Sequence, residues 1–332
     1  MNYVNLGRSG LKVSRACLGA MMFGTAGAPC EEDESRRIID AFLDLGHNFV
    51  DTANVYTGGQ SEEVTGRAIA AKRDSVVLAT KGRFPQGAGP NDGGLSRVHL
   101  TRALEASLRR LGTDYIDLYQ VHFWDADTPI EETMATLDGF VRKGQVRYLG
   151  CSNFTGSQIV ESQWAAARVG GTPFVSLQPR YSLITRQIEN DVLTASERHG
   201  LGTMVYSPLG GGMLTGKYKR DEDPPADSRI GRRMAAAPAT GPGEGGAGRR
   251  ALPSGLTDRN FDIVEEVEKV AAGLGTTATA VSIAWVLARP GVTSVIIGPR
   301  TYAQLDENLA GFDLELPEDV MARLDAVSST RG

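Results

Sequence analysis

The sequence predicts an α/β fold, a (β/α)8 barrel in which eight parallel strands, each followed by helix, close into a ring. Three observations predict it. Short β-rich apolar runs recur at a spacing of roughly 25 to 30 residues, the βα rhythm of a parallel sheet. The stretches between them switch to helical apolar spacing. The residues that close the runs are polar or ionisable, as at the mouth of a barrel, where loops at the strand ends carry chemistry. The chain has 332 residues, 41% of them hydrophobic, enough to fill one large core, so one domain over residues 1–332 is expected. An open doubly wound sheet is the alternative, but no G-x-G-x-x-G opens the first βα unit.

The elements follow in order. Residues 1–14 place Gly7 and Gly10 between apolar positions, the pattern of a small N-terminal β-hairpin set to close the barrel's bottom. The eight strand runs are "RACLGA", "HNFVD", "SVVLAT", "YIDLYQVH", "VRYLGCS", "FVSLQ", "GTMVYS" and "TSVIIG". Between them, Val98, Leu104, Leu108 and Leu111 are expected on one helix face, as are Ile263, Val264, Val267, Val270, Ala271 and Leu274. Thr128, Pro129 and Glu131 read as N-cap, first-turn proline and capping-box acid, and Thr155 with Gln158 repeats the capping spacing. Gly112 and Gly144 read as helix stops. Residues 221–256, rich in Gly, Pro and Ala, are expected to form a long, partly mobile lid loop after strand 7.

Composition excludes several classes. Net charge is -5 with no long basic run, so nucleic acid and anionic membrane are poor partners. The N-terminus lacks the apolar core of a secretory signal and no stretch of about 18 apolar residues occurs, which predicts a cytoplasmic protein. Cys17, Cys30 and Cys151 are odd in number, widely spaced and without nearby histidines, so they are expected as reduced structural thiols, with no metal site.

Two patterns carry chemistry. "GGGMLTGKY" holds the spacing G-x-x-x-x-G-K from Gly211 to Lys217, most of a phosphate-binding loop, but Tyr218 stands where a hydroxyl would hold magnesium. The strand-closing residues are Asp51, Lys81, His122, Ser152 with Asn153, Gln178, Tyr206 and Gly298. Each alone has a bland explanation, as an N-cap, a solvated lysine or a satisfied core histidine. The fold places them together at one mouth.

At these residues the chain resembles the aldo-keto reductases, TIM barrel oxidoreductases. The resemblance runs from "LGRSGLKVSRACLGAMMFG" through "DTANVY", "VLATKG", "DLYQVHFWD", "CSNF", "LQPRYSLI" and "VYSPLGGGMLTGKY" to "TSVIIGPRTYAQLDENL". It implies a catalytic tetrad at Asp51, Tyr56, Lys81 and His122. Carbonyl reduction by hydride transfer builds charge on an oxygen that must receive a proton, and a phenol with a pKa of about 10 is a sluggish donor at neutral pH. Lysine at hydrogen-bond distance favours the tyrosinate and lowers that pKa, aspartate fixes the lysine, and histidine orients the carbonyl oxygen.

The resemblance also implies a nicotinamide cofactor. Ser152, Asn153 and Gln178 would grip the carboxamide, Tyr206 would stack on the ring, and Ser207, Pro208, Leu209, Gly210, Gly211 and Lys217 would wrap the pyrophosphate, with Gly298 beside them. The Lys-Ser pair of many members is replaced by "GPRTYAQLDEN". There Arg300 would hold a 2'-phosphate, with Gln304, Glu307 and Asn308 around the adenine and Arg229 reaching in from the lid, so NADP(H) is expected over NAD(H). The substrate, a small carbonyl compound, would meet Met22, Phe23, Trp124 and Tyr181, with Asp125 at the rim. A monomer is expected. Two alternatives share the barrel: an NADPH-binding regulatory or redox-sensor subunit with little turnover, and an aldolase or isomerase, which would want a phosphate site in the last two loops.

Overall fold

A computed structural model describes residues 3–226, 228–236 and 255–329. β1 (Tyr3–Asn5) and β2 (Lys12–Ser14) pair as an antiparallel hairpin. The eight runs read from the sequence become β3 (Ala16–Gly19), β4 (Phe49–Asp51), β5 (Val77–Gly82), β6 (Ile116–Val121), β7 (Val146–Ser152), β8 (Phe174–Gln178), β9 (Gly202–Val205) and β10 (Val292–Ile297). Each pairs in parallel with the next, and β10 returns to β3, so the barrel closes without an edge.

The helices alternate with the strands: α1 (Glu32–Asp44), α2 (Gln60–Ile69), α3 (Arg97–Leu111), α4 (Ile130–Arg142), α5 (Gly156–Arg168), α6 (Val192–Arg198), α7 (Arg229–Ala236), α8 (Asp258–Leu274), α9 (Ala278–Leu287), α10 (Tyr302–Leu309) and α11 (Glu318–Ser328). Thr155 and Gln158 form both halves of a capping box at the start of α5. Gly112 takes the left-handed conformation that ends α3, and Gly144 does so just past α4.

Inside the barrel, Cys17, Phe49, Ala79, Leu118 and Met204 form an apolar plug, and Leu6 and Val13 of the hairpin cap it from below. Gly7 makes this docking possible. Its φ is +61°, and a Cβ there would stand 2.4 Å from the Gly200 carbonyl oxygen. The hairpin thus covers the base, and the cavity opens at the strands' C-terminal ends.

Four expectations need correction. Val98 is exposed; it lies six residues before Leu104, about 120° around the helix, and α3 instead buries Leu100, Ala103, Leu104 and Leu111. Leu274 is likewise exposed, at the end of α8. Thr128 does not cap α4, because its hydroxyl donates to Asp125 Oδ2 and Pro129 takes the cap position. The lid segment is not loop throughout: after the irregular stretch 221–226, Ser228 Oγ accepts from the Gly231 N–H and opens α7, as the helix formers in "RIGRRMAA" allow. Residues 227 and 237–254, on which most of the expected mobility falls, lie outside the described residues.

Cys17, Cys30 and Cys151 are buried free thiols, and no metal-ligating cluster occurs among the described residues. No single described helix is long and apolar enough to cross a membrane; α8 and α9 reach that length only as a pair bent by 99°.

Candidate active site

The strand ends open into a cavity of about 670 Å³, within the range of small-molecule sites. One end is the tetrad. Asp51 closes β4, and the chain turns directly after it, with the Tyr56 N–H donating to the Ala53 carbonyl. Thr57 holds this turn in a left-handed conformation, φ 46°, by donating its hydroxyl to the Phe23 carbonyl at 2.6 Å. The turn carries Tyr56 back over the mouth. Lys81 on neighbouring β5 is fully buried; its Nζ donates to Asp51 Oδ2 at 2.5 Å, to the Thr52 carbonyl at 2.8 Å and to the Tyr56 hydroxyl at 3.3 Å.

Burial acts to strip Lys81 of its proton, but Asp51 and Tyr56 outweigh it and hold its pKa above the ordinary value. Tyr56 departs from the sequence expectation. Lys81 does pull its pKa down, yet burial pushes it up by more, so the phenol ends above its usual value. His122 follows β6, its N–H on the Gly82 carbonyl and its ring edge-on to Tyr56, 5.8 Å between centroids. Burial, with Lys81 and Arg83 nearby, pushes its pKa down to about 3. The imidazole is therefore neutral at physiological pH and carries one N–H.

Around the tetrad the strand-end residues interlock. Ser152 Oγ donates to the Gln178 carbonyl, and Asn153 donates from Nδ2 to the His122 carbonyl. Asn153 Oδ1 accepts from the Tyr206 hydroxyl at 2.8 Å. Asn153 is left-handed, φ 60°, which asparagine tolerates.

The far end is built from backbone and cations. The run with phosphate-loop spacing is a short 3₁₀ turn, Gly210–Thr215, with Gly211 and Gly212 left-handed. Gly212 has φ +95°, a conformation that favours glycine, and Lys217 Nζ passes 2.8 Å from where its Cβ would stand. Arg300 leads into α10, its N–H on Gln304 Oε1 at 2.9 Å. Arg232 of α7 and Thr279 of α9 also line this end, and the buried Thr279 hydroxyl has no hydrogen-bond partner among the described residues.

The sequence profile described as "Aldo/keto reductase family" matches residues 15–329. The chain belongs to the aldo/keto reductase family. Among its relatives, an "Uncharacterized oxidoreductase YrpG" of Bacillus subtilis is 38% identical over 98% of this chain and 96% of that protein. A "Probable voltage-gated potassium channel subunit beta" of Arabidopsis thaliana is 37% identical over 95% of this chain and 92% of that protein. The "Norsolorinic acid reductase" of Aspergillus flavus is 32% identical over 96% of this chain and 78% of its own length. The chain is thus an oxidoreductase of a family that takes small carbonyl substrates and nicotinamide cofactors.

In this aldo/keto reductase, Asp51, Tyr56, His122, Ser152, Asn153, Gln178, Tyr206, Ser207, Pro208, Leu209, Gly211, Lys217, Gly298, Arg300, Gln304, Glu307, Asn308 and Met22 line the cavity, with Lys81 directly behind. Four expected residues do not. Gly210 faces away, with Ile184 Cδ1 2.3 Å from where its Cβ would be. Phe23 is fully buried in the core. Trp124 packs edge-on against Phe154 beneath the mouth, 5.3 Å between centroids. Tyr181, three residues past β8, turns outward to Trp285 and donates its hydroxyl to Glu189. The Arg229 side chain lies outside the described residues.

Sequence reasoning missed Met21, Val55, Phe84, Phe123, Thr279 and Arg232, all in the cavity wall. Phe84 arrives on the loop between β5 and α3, which Asp125 holds at the mouth by accepting from the Leu95 N–H at 2.7 Å. That long-range staple has no local sequence signal. Asp125 therefore organises the rim from behind the aromatic wall.

Proposed function

We propose that the chain is an NADPH-dependent oxidoreductase that reduces aldehydes or ketones to alcohols, with Tyr56 as proton donor. One observation carries this reading: Lys81 Nζ joins Asp51 and the Tyr56 hydroxyl within a single hydrogen-bonded unit, beside a neutral His122, at the closed end of the cavity.

The cavity fits the cofactor. The left-handed glycines 211 and 212 would let backbone amides approach a pyrophosphate, Lys217 would neutralise it, and the partnerless Thr279 hydroxyl suits an acceptor there. Tyr206 would face the nicotinamide, and Ser152, Asn153 and Gln178 its carboxamide. Arg300 and Arg232 would share the 2'-phosphate, with Gln304, Glu307 and Asn308 around the adenine. Bound there, the nicotinamide supplies the hydride.

The chain's own groups manage the proton. The raised pKa of Tyr56 keeps the phenol protonated at neutral pH, ready to donate. Lys81 stabilises the tyrosinate left behind, and Asp51 keeps the lysine charged. The neutral His122 can donate a hydrogen bond to the substrate oxygen without competing to protonate it. Phe84, Phe123, Met21 and Met22 surround the substrate with apolar surface, which excludes water and suits aromatic or medium-sized carbonyl compounds.

The likeness to a potassium channel β subunit favours a second reading, a cofactor-binding regulatory subunit with little turnover. NADPH oxidation assayed with a panel of aldehydes separates the two. Aldehyde-dependent oxidation supports the enzyme; tight NADPH binding without oxidation by any carbonyl supports the subunit.

A further inference from the structure

Gln120 lies on β6 in register with Lys81 on one side and Gly150 on the other, and is fully buried. Its Nε2 donates to Asp51 Oδ1 at 3.0 Å, and its Oε1 accepts from Gln178 Nε2 at 3.3 Å. Gln178 Nε2 also donates to Asp51 Oδ1, at 2.9 Å. The Asp51 carboxylate is thus divided: Oδ2 takes the lysine, and Oδ1 takes two neutral amides from strands across the barrel. Gly150 makes the room, since a Cβ there would stand 3.2 Å from Gln120 Cγ and 2.3 Å from Ser176 Oγ.

This division has an electrostatic consequence. A buried carboxylate free to rotate can offer either oxygen to a lysine and draw the ammonium toward itself. Amide donors on Oδ1 stop that rotation and spread the negative charge without adding a cation that would compete with Lys81. The geometry therefore determines how much of the lysine's field reaches Tyr56.

We infer that Gln120 is a positioning residue for the proton donor, acting through Asp51: with Gln178 it clamps Oδ1 so that Oδ2 and Lys81 Nζ stay beneath the Tyr56 hydroxyl. This inference rests on the assignment of Tyr56 as proton donor. The titratable and charged groups facing Tyr56 are Lys81 of β5, Asp51 of β4, His122 beyond β6 and Tyr206 beyond β9. Among these groups the Gln120 side chain hydrogen-bonds to Asp51, so its substitution reports on the clamp.

The test places a fluorinated tyrosine, whose phenol ionises at lower pH than tyrosine itself, at position 56 of the full chain. Fluorine NMR then follows its titration in cofactor-free protein carrying Gln120, Gln120→Met or Gln120→Glu. Met keeps the volume but cannot donate, so the Asp51 charge is no longer spread and the carboxylate can draw Lys81 away. Glu adds a buried negative charge. The pKa at position 56 should rise in both variants, by about one unit for Gln120→Glu and by less for Gln120→Met. Where the added charge prevents folding of Gln120→Glu, the isosteric Met variant decides. An unchanged or lowered pKa in the folded variants, even with reduced melting temperature or turnover, would assign Gln120 to packing and overturn the inference. Turnover of Tyr56→Phe with NADPH and 4-nitrobenzaldehyde, measured alongside, keeps the two claims apart. Normal turnover there defeats the proton-donor assignment, whereas an impaired Tyr56→Phe with unshifted Gln120 variants defeats only the clamp.

Discussion

At the tetrad end of the cavity, Asp51 and Lys81 are 2% and 0% exposed and hydrogen-bonded on every side; at the other end, Lys217 is exposed and Arg300 half-buried, on loop and helix-start segments. The difference separates two uses of charge. In a dry site a charge is strong but costly to leave unpaired, so each polar atom is fixed and one substitution alters the rest. Near water each cation is screened, and binding depends on several acting together. The first arrangement suits bond making, and the second suits holding a polyanion.

The comparison predicts steep losses at the dry end. Tyr56→Phe should lower kcat by about 10²-fold or more, the scale of general acid catalysis, with NADPH affinity nearly unchanged. Steady-state kinetics and cofactor titration check this, and near-normal turnover would break the contrast at its stronger side.

The wet end should respond less, and in binding alone. Arg300→Ala should weaken NADPH by about 1.5 to 3 kcal/mol, the worth of hydrogen bonds to a charged group, and leave NADH nearly untouched. Fluorescence titration with both cofactors reads this directly. Equal loss for both cofactors, or none for either, would move the 2'-phosphate to Arg232 or Lys217.

The smallest effect concerns stability. His122 has a folded pKa near 3, below its unfolded value, so the unfolded chain binds the extra proton. Its contribution is fully present above about pH 6.5 and is lost as pH falls toward the folded pKa, by up to about 1.4 kcal/mol per pH unit. His47 and His99 are also depressed by burial and add slopes of the same sign. Urea unfolding at pH 6.5 and pH 5.5 should therefore show a smaller stability difference for His122→Gln than for the wild type, by about 1 kcal/mol. Identical differences would mean that His122 is charged or solvated in the folded state.

The same contrast explains what the sequence made legible. Asp51, Lys81, His122, Ser152 and Gln178 were readable because a residue within one position of a strand's C-terminal end has a fixed address in a closed barrel. Lys217 was readable because glycine spacing marks a close backbone approach. Phe84 and Phe123 were not, because a staple from Asp125 to Leu95, thirty residues apart, sets the wall they form. Tyr181 misled for a related reason: three residues past β8 the chain has already turned, and its side chain points to Trp285. Gln120 was hidden in an apolar run, where its partners lie on β4 and β8 and no local pattern reveals them. Arg232 reaches the cavity because α7 begins at Arg229, a helix where the composition suggested loop.

On the proposed function, this cavity moves a hydride onto a carbonyl carbon while Tyr56 supplies the proton. NADPH carrying deuterium at the transferable ring position, incubated with the enzyme and an aromatic aldehyde, tests it most directly. Mass spectrometry of the alcohol should find one deuterium on the former carbonyl carbon, from a single face of the nicotinamide, with the hydroxyl hydrogen drawn from solvent. Oxidation of NADPH that leaves no label in the alcohol, or no alcohol at all despite tight NADPH binding, would contradict the account.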